Sequence, residues 1–358
     1  MIATDQSARP APWLFTRRID LTVFLGSGLL ALGALALGGP LGLLEGDRTD
    51  SPEWAWITAI LLIDVAHVWA TGFQVYFRPS ELTRRPQLYA FVPIAALAVG
   101  VALYSEGERL FWRVLAYLAV FHFVRQQYGW VALYRARAGE SSTGGKIIDG
   151  CAIYLSMLYP LVWWHANLPR NFSWFLPGDF VRLSSDLAAV LQPLFWTSLT
   201  LYAVRAGWVW LLMGRPNFGK DIVVATTALC WYLGIVVYDS DYAFTVTNVI
   251  IHGVPYIALV WWVRVRSEPT PAARPFNRLV VILGVIWALA FVEELLWDRG
   301  VWRERGWLFG SGWNTSELRM FLVPLLAVPQ LTHYILDGFI WRRRDNPDVA
   351  TALSGRRE

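Results

Sequence analysis

The sequence predicts an all-α, polytopic membrane bundle of about ten transmembrane helices, with both ends of the chain in the cytoplasm. Three observations predict it. First, 56% of the 358 residues are hydrophobic and only 16% are charged, where soluble domains carry about 25% charged residues. Second, ten stretches approach the roughly 20 apolar residues needed to cross a hydrocarbon core. Third, the basic residues segregate to one side of those stretches, as they do in cytoplasmic loops of membrane proteins. The 21 Trp residues suit the aromatic belts at membrane interfaces.

The elements follow in order. The first predicted span, 20–40, begins after "FTRRID", a basic flank that also has the look of a signal segment; the many spans that follow favour a first transmembrane helix. The next nine cover 54–77, 86–105, 108–134, 146–166, 184–213, 219–238, 241–263, 278–297 and 317–341. Residues 1–344 thus form one transmembrane domain, and 345–358 form a polar, loose cytoplasmic tail. The longest connections are 167–183, the basic stretch 264–277 and the Trp-rich stretch 298–316. With the N-terminus inside, 20 of the 31 Lys and Arg fall in cytoplasmic segments. The outer loops "LLEGDRTDSPE" and "YDSDY" are acidic. A net charge of +4 distributed this way marks orientation and gives no sign of nucleic acid as a partner. The natural home of such a chain is a bacterial cytoplasmic membrane, in multi-pass form. Cys151 and Cys230 sit inside apolar stretches and read as small packing residues rather than a disulfide.

Four of the five histidines share a depth. His67 lies 11 residues before Arg78, His122 13 before Arg135, His252 12 before Arg264 and His333 9 before Arg342. At 1.5 Å per residue they stand about 14 to 20 Å from the basic end of their helices. The four helices all run in the same direction across the membrane, so this is one layer. The fifth, His165, falls at the outer end of its span and reads as interfacial.

Each layer histidine has polar company at helical spacing. Asp64 precedes His67 by three, Arg125 and Gln126 follow His122 by three and four, Asn248 precedes His252 by four, and Asp337 follows His333 by four. Ionisable groups inside a span are costly and face the bundle interior, where they pair or do chemistry. Imidazole with carboxylate is a ligand set for iron, zinc, copper or manganese. The predicted metal residues are therefore His67, His122, His252, His333, Asp64 and Asp337, with each Asp as a ligand or as the group that orients a ligating imidazole. Arg125 and Gln126 are the predicted catalytic positions, holding a polar end of the substrate or tuning the site, or neutralising an Asp. Pro255, Gly253 and Pro329 at the same level predict kinks that open space there. Tyr334 is expected to pack away from the site, and Glu293, Glu294 and Arg205 lie off the layer.

One or two non-haem irons fit this set, with zinc or haem as weaker alternatives. In lipid such a centre would activate O2 against an apolar substrate, a lipid or isoprenoid, with a redox partner on the cytoplasmic side. A haem-binding or ion-conducting protein without turnover is the other class the residues allow. The segments "DVAHVWAT", "HFVRQQYG", "NVIIHGVPY" and "THYILDGFIW" resemble a sparsely characterised group of bacterial multi-span proteins with intramembrane His motifs. More distantly, His on separate spans resembles the Brp/Blh carotene dioxygenases. That resemblance implies a His-lined iron site and no more, because the local motifs do not match that family closely enough to carry over its substrate; separately, the clustered HxxxH and HxxHH motifs of membrane desaturases and hydroxylases are absent.

Overall fold

A computed structural model describes residues 13–44, 51–267 and 275–354. The described residues are mostly helical, with no strand among them. Ten long helices form the bundle. We label them α1 (Arg17–Gly38), α2 (Glu53–Gln74), α3 (Pro86–Ser105), α4 (Glu108–Arg137), α5 (Thr143–Ala166), α6 (Ser185–Leu211), α7 (Phe218–Val237), α8 (Asp241–Ser267), α9 (Pro275–Trp302) and α10 (Ser316–Ile340). By length and composition, nine of them can cross a membrane. The exception is α4, which has 30 residues but carries His122, Arg125, Gln126 and Gln127 at its middle. The residues that make α4 interesting are the ones that lower its apolar content. The predicted ends agree to within a few residues. Of the 20 Lys and Arg assigned to cytoplasmic segments, Arg9, Arg274, Arg356 and Arg357 lie outside the described residues, as does most of the acidic loop at 43–53.

The core is organised on α8. Its apolar stretch is 94% buried, where α3, α6 and α9 are 22% buried. α8 carries Thr245, Thr247, Asn248 and His252, all buried, and polar groups within a span face the bundle interior, whereas the more apolar α9 can present its sides to lipid. Around α8 pack α1, α2, α4 and α7. Two features of its sequence set the layer that holds His252. Gly253 lets α2 approach closely: a Cβ there would stand 2.6 Å from the Ile63 Cγ2 atom, so only glycine fits. Pro255 lacks the N–H that would bond the Ile251 carbonyl four residues back. The Gln127 side chain of α4 fills that gap, donating to the Ile251 oxygen at 3.3 Å. Gln126 donates to the adjacent His252 oxygen at 2.8 Å. The glutamine pair thus ties α4 to the weakened turn of α8.

Two other spans are irregular at the same level. Residues Trp56–Val65 of α2 are π-helical and lead directly into His67; such widened turns are frequent at functional sites. The tenth helix breaks at Ala327, which ends one helical segment and begins the next. Pro329 lies in the first turn of the second segment, where its missing N–H costs nothing.

The expected loose tail is ordered over most of its length. Pro347–Ser354 forms a short helix that buries Val349, Ala352 and Leu353 against α8. Trp262 donates to the Ala352 oxygen at 3.0 Å, and Arg78 pairs with Asp348 at 2.7 Å. The spacing of those three apolar residues gives the segment one apolar face, which outweighs its polar composition. Cys230 is buried, and Cys151 faces outward, contrary to its expected burial; both are free.

At the same end of the bundle, four helices meet through charges. Asp149 of α5 is fully buried. It binds Arg135 of α4, Arg205 of α6 at 2.9 Å and Lys220 of α7 at 3.0 Å. Glu140, in the turn between α4 and α5, joins with Lys220 at 2.7 Å and Asn217 at 2.7 Å. Burial alone would raise the Glu140 pKa; its bonds to Lys220, Asn217 and Arg205 outweigh this and hold it below the ordinary value. This accounts for Arg205, whose place is structural.

Candidate metal centre

The structure brings the four layer histidines into contact, from α2, α4, α8 and α10. All are buried. Five of the six ring pairs have centroids 4.5 to 6.4 Å apart. The Nε2 atoms face one another: His67 to His252 at 3.2 Å and His333 to His122 at 3.1 Å. Nitrogens of His67, His122 and His333 lie within 4.8 Å of one another, a set able to hold one metal ion. His252 joins this set through His67.

The outward edges of the rings carry the carboxylates. Asp64 lies 3.6 Å from His67 Nδ1. Asp337 lies 3.7 Å from His122 Nδ1 and 3.8 Å from His333 Nδ1. Both Asp therefore stand behind the imidazoles, on the side away from the converging Nε2 atoms. That is the position of a group that orients a ligand, raises its basicity and fixes its tautomer. Asp337 is itself fixed: the Tyr256 hydroxyl donates to it at 2.7 Å and the Trp341 indole at 3.1 Å. Thr71 stands 2.7 Å from His333 Nδ1 and 2.8 Å from the Tyr256 hydroxyl. A chain of contacts thus runs from α2 through Thr71 and Tyr256 to Asp337.

Arg125 is not brought to the cluster. It is exposed, donates to the Tyr154 hydroxyl at 3.0 Å and lies over the Tyr128 ring. A residue three positions past His122 is rotated some 60° around the helix from it, and a long cationic side chain reaches outward from there. Gln126 is close to the site only through the His252 carbonyl, where it positions backbone. His165 is apart, bonded to Tyr117 at 3.0 Å.

Sequence reasoning passed over Thr71, Tyr256 and Tyr334. The signal for two of them was present: Thr71 follows His67 by four and Tyr256 follows His252 by four, the spacing that singled out Asp337. Tyr334, expected to point elsewhere, stacks on His122 with ring centroids 4.9 Å apart. Phe123 stacks flat on His252 at 3.5 Å. These aromatic lids, with Asp64, cover the side of the cluster that faces away from the Arg-rich end of the bundle.

No family model matches the chain, and no curated protein or solved structure is similar to it. The chemistry therefore rests on the residues themselves. Asp337 backs two imidazoles at once. Its replacement by Asn should lower metal affinity about 10- to 100-fold, the usual cost of losing such a partner. Competition with a chelator of known affinity measures this; an unchanged affinity would show that Asp337 serves packing alone.

Proposed function

We propose that the chain is a membrane-embedded, metal-dependent oxidoreductase whose centre is a non-haem iron held by His67, His122 and His333, with His252 beside them. One observation carries this reading. Four Nε2 atoms face inward, with two Asp and a Thr at the Nδ1 edges of three of the rings. Hydrogens on Nδ1 leave lone pairs on Nε2, and inward lone pairs at 3.1 to 3.2 Å repel. A cation among them turns that repulsion into binding. Two nitrogens bound at about 2.0 to 2.1 Å to one tetrahedral ion stand about 3.3 Å apart, close to the separations seen. A metal-free arrangement would need an Nε2 hydrogen in each pair instead.

Bound iron would supply O2 activation. The protein's part is to hold the imidazoles of His67, His122 and His333 in one tautomer, keep bulk water away and admit an apolar substrate from lipid, an isoprenoid being the class we favour. Where one oxygen atom enters the substrate, a reductant must deliver two electrons and two protons to release the other as water. Ring contacts this close leave no porphyrin-width gap among the histidines, which favours a bare ion over haem. The test is metal analysis with an optical spectrum on the purified chain. We expect near-stoichiometric iron and no Soret band. A Soret band would make it a haem protein, and absence of any metal after iron-replete expression would remove the oxidoreductase reading.

A further inference from the structure

A cavity of about 720 Å³ lies above the histidines, at the end of the bundle opposite the Arg-rich one. Its walls come from the outer halves of α2, α8 and α9, from α10, and from the loop at 170–177. Its floor is one side chain thick. Asp64, Phe123 and Tyr334 all line it, and each of these touches or closely approaches a different histidine, as described above. On another side Tyr256 packs edge-on against His67 and His333, with Trp341 behind it.

The lining charges do not cancel. Arg305 pairs with Glu304 and Glu53, and Arg170 with Asp239. Asp241 binds Ser51 at 2.6 Å. Two lining carboxylates remain without a hydrogen bond or a cationic Lys or Arg partner in ion-pair contact: Asp64, at the floor beside His67, and Glu294 on α9. A third acceptor is independent of these. The Asn248 side-chain oxygen is buried and accepts no hydrogen bond, and Asn248 lines the same cavity. A buried acceptor left unpaired is costly, and a bound cation or its water shell would satisfy it. A cleft with a net negative lining between low-dielectric walls focuses its field and draws in the opposite charge.

We propose that this cavity is the path by which a divalent cation reaches the four histidines, with Glu294 and Asn248 as oxygen stations on its wall and Asp64 as the last one at its floor. This rests on the metal-centre reading above. Hard oxygen donors bind such an ion weakly enough to release it to imidazole, and a buried site needs an access path of this kind.

The experiment uses the full chain in detergent, stripped of metal and mixed with Co2+, whose visible ligand-field absorption reports binding to imidazole. In the wild type the bands should grow to a plateau. Glu294→Gln should reach the same plateau about tenfold more slowly at low salt, and added salt should narrow the difference. Asn248→Asp, which adds a negative charge, should load faster. Equal loading rates in all three proteins, at equal plateaus, would overturn the path. A wild type that never develops the bands would remove the metal centre itself. Loss of the plateau in a variant would make that residue part of the centre, against its role as a station.

Discussion

Replacing His333 by Ala should abolish stoichiometric metal binding. His333 is the hub of the cluster: its Nε2 faces His122 at 3.1 Å, its Nδ1 meets Thr71 at 2.7 Å, and its ring lies 4.8 Å from that of His67. Removing it takes one nitrogen from a set of three and breaks the Thr71–His333 bond between α2 and α10. The imidazoles that remain lack the facing His122–His333 pair, so metal per chain should fall to a small fraction of the wild-type value after gel filtration. The overall fold should survive, because most of the interior is aromatic and aliphatic packing far from the layer. Metal content equal to wild type in a folded His333→Ala protein would refute the assigned centre. Replacing His165 by Ala is the control, and metal content should not change.

The second large effect is on stability. Asp149→Ala should destabilise the chain by about 3 to 5 kcal/mol, because it strands buried cations that were paired. Arg135, Arg205 and Lys220 all converge on this carboxylate, leaving Glu140 alone to balance them. The loss should appear as a lower midpoint of thermal unfolding in detergent, with the metal site intact in the surviving fraction. An unchanged midpoint would mean that the network repacks around Glu140. Buried ion pairs are modest contributors when complete and costly when broken, and the prediction concerns only the breaking.

The sequence made depth legible because depth is one-dimensional. A helix rises 1.5 Å per residue, so an intramembrane His and the Arg that follows it measure height directly. Four heights agreed, and the structure places the four rings in contact. Rotation about each helix axis was harder to read. Three- and four-residue offsets correctly placed Asp64 and Asp337 beside histidines, yet the same rule put Arg125 with them, and it faces α5 instead. The difference is side-chain reach: a carboxylate stays where its Cβ points, whereas an arginine can swing to the nearest hydroxyl. The cavity was not legible at all. Its walls come from the ends of several helices and from the loop at 170–177, and nothing local in the chain records that they meet. The helix at 347–354 was readable from Val349, Ala352 and Leu353, but the segment's polar composition concealed the pattern.

The short helix at 347–354 closes the same end of the bundle to which the last histidine-bearing helix returns. It is tied to Arg78, just beyond α2, and to Trp262 of α8, and His333 is carried on α10 shortly before it. A nascent chain that has inserted only its first nine helices therefore presents three of the four layer histidines, with no Asp337, Tyr334 or Trp341 to orient or cover them. Such an intermediate has no finished pocket in which to retain an ion. On the function proposed above, metal retention would therefore await α10, the last long helix to join the bundle.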